Sequence, residues 1–119
     1  MYRYLLLQLF ILLACNKPTT ISINDATRYL ENEEYYFLDV RTKREHIDQS
    51  ILNTDCIPVQ EIEERIEELE KYKDKKIILY CRSGNRSKVA TKILIQNGYD
   101  GYSLIGGMNE WSGKTESGK

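Results

Sequence analysis

Histidine, cysteine, proline and net charge are all scarce in this 119-residue chain, and each shortage removes a class of function. Three cysteines, at positions 15, 56 and 81, are too few and too unevenly placed for a disulfide framework. One histidine with no paired cysteine argues against a structural zinc site, so no metal is expected. Seventeen Lys and Arg against eighteen Asp and Glu leave a formal charge of −1. No excess of positive potential gathers phosphates, and nucleic acid is not an expected partner. No apolar run reaches the ~20 residues that a membrane-crossing helix needs. What is present is 41% apolar and 29% charged residues, the balance of a soluble globular chain long enough for one core.

Residues 1–15 read MYRYLLLQLFILLAC: one charge, Arg3, precedes an apolar stretch from Leu5 to Leu13. This has the shape of a signal peptide. Its ending, Leu12-Leu13-Ala14-Cys15, resembles the bacterial lipobox, in which the cysteine is lipid-modified and becomes the new N-terminus. The resemblance implies removal of 1–14, a lipid on Cys15, a tether over 15–19 and a domain held at a membrane outside the cytoplasm. Two lipid signals on one cysteine give stable anchoring, at about 0.8 kcal/mol per buried methylene. An ordinary signal peptide and an apolar first strand are the alternatives, the strand being disfavoured by the polar, proline-containing break at 16–20.

From residue 20 the pattern alternates strands and helices. Ile21 and Ile23 alternate as a short strand, and Asn24 is placed to cap a helix over Asp25–Glu31. Tyr35 to Val40 is a continuously apolar strand of the kind covered on both faces. Ile57-Pro58-Val59 is a strand end or loop, because proline cannot donate to a ladder. Ile62, Ile66 and Leu69 among six glutamates then predict an amphipathic helix with a solvated acidic face. Ile77 to Tyr80 is a second buried strand. A helix is expected from about Ser87, with Val89, Ala90, Ile93, Leu94 and Asn97 facing inward and Gly98 ending it. Tyr102 to Ile105 is the last strand, and 112–119 reads as a disordered polar tail. The expectation is an α/β domain over 20–111, with a mainly parallel central sheet flanked by helices on both faces.

In such sheets the site lies beyond the carboxyl ends of the strands, where two polar segments fall: Asp39-Val40-Arg41 and Cys81-Arg82-Ser83-Gly84-Asn85-Arg86-Ser87. The second segment sets a thiol at a strand end and leads into a helix. A helix N-terminus, converging amides and nearby arginines all favour a thiolate over a thiol. A nest of amides could hold an oxyanion or a persulfide, and then no separate base is needed. The one histidine, His46, falls in a helix predicted to lie on the surface. Two arginines, a glycine and an asparagine are poor company for a cysteine that merely fills space, so Cys81 is read as reactive. Phosphatases with a cradled cysteine need five residues between Cys and Arg, and here four separate Cys81 from Arg86.

The loop 81–87 resembles the active loop of single-domain rhodaneses, the thiosulfate:cyanide sulfurtransferase family. Leu38-Asp39-Val40-Arg41 with Glu45, and Leu104-Ile105-Gly106-Gly107-Met108-Asn109-Glu110-Trp111, resemble two further family segments in the right order. Gln49-Ser50-Ile51-Leu52-Asn53 departs from the family's Gly-His-Ile…Gly stretch. The resemblance implies double displacement without a cofactor. Cys81 takes sulfane sulfur from a donor such as thiosulfate and passes it to cyanide or a thiol. Arg82 and Arg86 would meet the anionic donor, and the amides of Arg82, Ser83, Gly84, Asn85, Arg86 and Ser87 would hold the persulfide. Arg41 is a candidate at the same mouth or an ion-pair partner of Asp39 that fixes the loop. Cys56 reads as packing rather than a resolving thiol, and Met108 and Trp111 as lid packing. The alternative is a rhodanese-like module that binds or senses at the membrane surface without turnover.

Overall fold

The computed structural model describes residues 17–118. Cys15 and the segment 1–14 lie outside the described residues. The elements are β1 (Thr20–Ile21), α1 (Ile23–Arg28), β2 (Tyr35–Asp39), α2 (Lys43–Asp48), β3 (Ser50–Ile51), β4 (Asp55–Cys56), β5 (Lys76–Tyr80), α3 (Asn85–Gln96), β6 (Asp100–Leu104), α4 (Gly107–Glu110) and β7 (Thr115–Glu116). No helix among them is long and apolar enough to cross a membrane.

Five strands form one sheet in the order β1-β6-β5-β2-β4, every neighbouring pair parallel. The apolar runs of β2 and β5 occupy its centre because both of their faces are covered. Side chains alternate across a strand. Thus Leu38, Ile77 and Leu79 pack on one face with Ala90 and Leu94 of α3, and with Ile62 and Leu69. Phe37, Ile78 and Tyr80 pack on the other with Ala26, Ile51 and Leu104.

Several sequence expectations are corrected. Ser22, not Asn24, caps the first helix, its hydroxyl accepting from the Asp25 amide, and the helix stops at Arg28. Ile57-Pro58, read as a strand end or loop, does follow the end of a strand, β4 at 55–56. The helix expected around Ile62–Leu69 is two 3₁₀ stretches, Val59–Glu61 and Ile66–Tyr72. Ile62 and Leu69 still reach the core, but glutamates repeating at helical neighbour positions repel one another and weaken an α-helix there. The helix expected at Ser87 begins at Asn85, and Val89 is 56% exposed, its inward place taken by Ser87 and Thr91.

The tail is not free. β7 pairs antiparallel with β3, and the amides of Leu52 and Gly118 bond the carbonyls of Lys114 and Ile47 at 3.1 and 2.7 Å. Asn53 turns left-handed between β3 and β4, and its amide is met by the Glu116 carboxylate at 2.6 Å. A polar sequence therefore became ordered, because β3 offered unpaired backbone groups.

Candidate active site

Cys81 follows β5 directly, at the carboxyl edge of the sheet, and the loop after it feeds α3. Its side chain belongs to the core and is 1% exposed. Gly84 makes the turn possible: at φ +113 it occupies backbone space that a Cβ disfavours, and its amide turns back onto Cys81 Sγ at 3.0 Å. The Ser87 amide, in the first turn of α3, donates to the same sulfur at 3.4 Å, and Ser87 Oγ stands 3.6 Å from it. Burial by itself would favour the neutral thiol. The Ser87 amide and hydroxyl, with the amides of Gly84 and Ser83, outweigh it and lower the Cys81 pKa. Ser87 Oγ is itself held by the Gly84 carbonyl at 3.1 Å and by Ser103 Oγ at 2.6 Å. Ser103, on β6, is a supporting residue that sequence reading missed; nothing in its local pattern marks it.

The arginines are arranged differently from the expectation. Arg86 makes a two-point ion pair with Glu45, Nη1–Oε1 2.7 Å and Nη2–Oε2 3.0 Å, and Arg82, 58% exposed, reaches the same carboxylate at 3.4 Å. Glu45 sits at the N-terminus of α2 in a capping box with Thr42. The Arg86 guanidinium, reinforced by the Thr42 amide and hydroxyl, holds the Glu45 carboxyl down at about 2. Glu45 therefore offsets one of the two positive charges of the loop, chiefly that of Arg86, and the amides supply the hydrogen bonds that reach the sulfur. Ser83 and Asn85 are exposed, and the Ser83 backbone amide is among those that favour the thiolate.

Arg41 is not at the mouth. It is 3% exposed, with its backbone amide and guanidinium on Asp39 at 2.7–3.1 Å and Nη2 on the Gln49 carbonyl at 2.6 Å. Asp39 and Arg41 thus form a buried pair that ties the end of β2 to the turn after α2. His46, expected on the surface, is 2% exposed, and its Nδ1 lies 2.9 Å from Asp39 Oδ2. An imidazole from α2 thus reaches Asp39 in a chain that has Ser50 where the family pattern has histidine. Ser50 Oγ itself is buried with no hydrogen-bond partner among the described residues.

The outer side of the loop is clamped by α4. The amides of Met108 and Asn109 donate to the carbonyls of Cys81 and Arg82 at 2.8 and 3.0 Å. A Cβ at Gly107, which has φ +54, would stand 2.3 Å from the Cys81 carbonyl oxygen, so only glycine allows this approach. Met108 and Trp111 pack over the core, Trp111 edge-on to Phe37 with ring centroids 6.2 Å apart. Cys56 is half-buried on β4, and burial together with the Asp39 carboxylate pushes its thiol up to about 12. It is not an activated nucleophile.

Residues 22–114 match the model of the rhodanese-like domain. YtwF of Bacillus subtilis, named as a candidate sulfurtransferase, is 36% identical over 85 residues, covering 71% of this chain and 81% of that protein. A sulfurtransferase of Allochromatium vinosum is 34% identical over 86 residues, covering 71% of this chain and 78% of that protein. A crystal structure of a rhodanese-related protein from Thermoplasma volcanium superposes with a TM-score of 0.74 at 33% identity, covering 82% of this chain and 96% of that one. With its thiolate-stabilising loop between the parallel sheet and α3, the chain belongs to the rhodanese-like domain family.

Proposed function

We propose that the chain is a sulfurtransferase that carries sulfane sulfur as a persulfide on Cys81. The observation that carries the reading is the set of amides turned onto one sulfur, with Gly84 and Ser87 at 3.0 and 3.4 Å. Such donors stabilise negative charge at a fixed point and cost no reorganisation when it develops. In the first half-reaction the Cys81 thiolate attacks the outer sulfur of a donor such as thiosulfate. The donor's S–S bond breaks, and its electron pair leaves with sulfite. In the second half-reaction cyanide or a thiolate attacks the terminal sulfur, and the pair of that S–S bond returns to Cys81. Neither step calls for a base or a cofactor.

Incubation with thiosulfate should add one sulfur atom to Cys81 by mass spectrometry, and cyanide should release it as thiocyanate. Cys81→Ser should lose both steps and keep the fold. Persulfide on the Ser variant would overturn the reading. So would hydrolysis of an aryl phosphate with no sulfur transfer from thiosulfate or a persulfide donor.

In this reading the domain works outside the cytoplasm, tethered by a lipid on Cys15, supported by the Leu12-Leu13-Ala14-Cys15 pattern. The full-length protein should partition into the detergent phase, and Cys15→Ser should release it or stall its processing.

A further inference from the structure

The sheet edge at β1 carries a surface that the sulfur loop does not use. A groove of about 590 Å³ runs between β1 and α3, walled by Thr19, Thr20, Lys88, Lys92, Ile95 and Gln96. Lys88, Lys92 and Ile95 recur at i, i+4 and i+7 and share one stripe of α3, where Ile95 is 42% exposed. Among the described residues no acidic side chain lines this groove, and α3 carries none along its length. Neither lysine has an ion-pair partner among those residues. Lys17, at the same edge, is by contrast paired with Asp100 and lies 5.5 Å from the centre of the Tyr102 ring.

We propose that this groove is the face on which the domain seats on an anionic phospholipid bilayer, Lys88 and Lys92 meeting lipid phosphates and Ile95 entering the headgroup boundary. The inference rests on the reading that Cys15 carries a lipid. Chain length then decides which edge of the sheet meets the membrane. Two residue steps separate Cys15 from Lys17, which its pair with Asp100 holds to β6, and they span at most about 7 Å; the four steps to Thr19 span at most about 14 Å. The β1 edge is therefore kept beside the headgroups, and β4, at the opposite edge, is held away from them. Charge decides which flank of that edge turns to the lipid. On the α1 flank Lys17 and Arg28 are closed in ion pairs with Asp100 and Asp25, and Lys76 sits 5.5 Å from the centre of the Tyr35 ring. The α3 flank offers two uncompensated lysines beside an exposed apolar side chain, the composition of a surface that lies in a bilayer interface. Each lysine brought to an anionic surface strengthens attachment about fivefold, so two of them orient a domain that the lipid already holds.

The test uses the processed protein from a bacterial host, reconstituted in vesicles of phosphatidylcholine alone or mixed with phosphatidylglycerol and treated with a water-soluble acetylating ester. Peptide mass spectrometry reads the reaction of each lysine and the mass of the N-terminal peptide. With phosphatidylglycerol present, Lys88 and Lys92 should react at least about fivefold more slowly than on neutral vesicles. High salt should abolish the difference, because it screens exposed charges. Lys71, in the cleft beside β4, should react equally on both vesicles. Equal rates at Lys88 and Lys92 on the two vesicles, whether both are free or both are covered by a second copy of the chain, would overturn this inference and leave the lipid on Cys15 standing. So would protection of Lys71 in their place, or protection that survives high salt. An N-terminal peptide without lipid would overturn the anchoring reading and this inference together.

Discussion

Replacing Glu45 by glutamine tests whether the charge at the mouth of the loop is internally compensated. The Glu45 carboxyl is held at about 2 against an ordinary 4.5. At about 1.36 kcal/mol per pKa unit the ceiling on its contribution is about 3.4 kcal/mol. The two side chains are 20% and 34% exposed, so solvent screens the pair and roughly 1–2 kcal/mol is expected. Because the folded pKa is depressed, this stability is present in full above the unfolded value near 4.5 and is lost as pH falls toward about 2. Urea unfolding of wild type and Glu45→Gln should therefore differ by roughly 1–2 kcal/mol at neutral pH. The gap should close progressively below about pH 4.5, where the wild-type carboxyl starts to bind a proton in the unfolded state. Other carboxylates cancel in the difference. A gap that stays constant down to about pH 2.5 would refute the ionic account and assign the loss to packing or to the capping box with Thr42.

Two further outcomes follow from the same geometry. Ser87→Ala removes a hydroxyl from beside Cys81 Sγ and should raise the thiol pKa, since that hydroxyl is one of the groups that favour the thiolate. The pH dependence of iodoacetamide alkylation reads the shift, and an unchanged midpoint would show that the backbone amides suffice. Gly107→Ala should cost more than about 2 kcal/mol and slow alkylation of Cys81, because its methyl would collide with the Cys81 and Arg82 carbonyls. A variant with wild-type unfolding and reactivity would refute the clamp.

The fold class, the central strands and the place of Cys81 in a ring of amides were legible in the sequence because each rests on local chemistry. Continuous apolar runs at 35–40 and 77–80 demand cover on both faces, and a thiol followed by Gly84 at a strand-to-helix turn implies amides folded back on sulfur. Residue-by-residue roles depended on partners distant in sequence. Arg86 looks like a donor-binding cation until Glu45, 41 residues away, takes its charge. Arg41 looks like a mouth residue until Asp39 and the Gln49 carbonyl enclose it. His46 is polar and sits in a short helix, and only the packing of α2 against the end of β2 buries it on Asp39. Ser103 and the last strand carry no signal of their own; one hydroxyl matters because Ser87 lies across from it, and one polar segment orders because β3 lacked a partner. Local pattern sets which groups are available. Which of them are neutralised, buried or aimed at the sulfur was decided by tertiary contacts, because charge pairing and desolvation act through space and not along the chain.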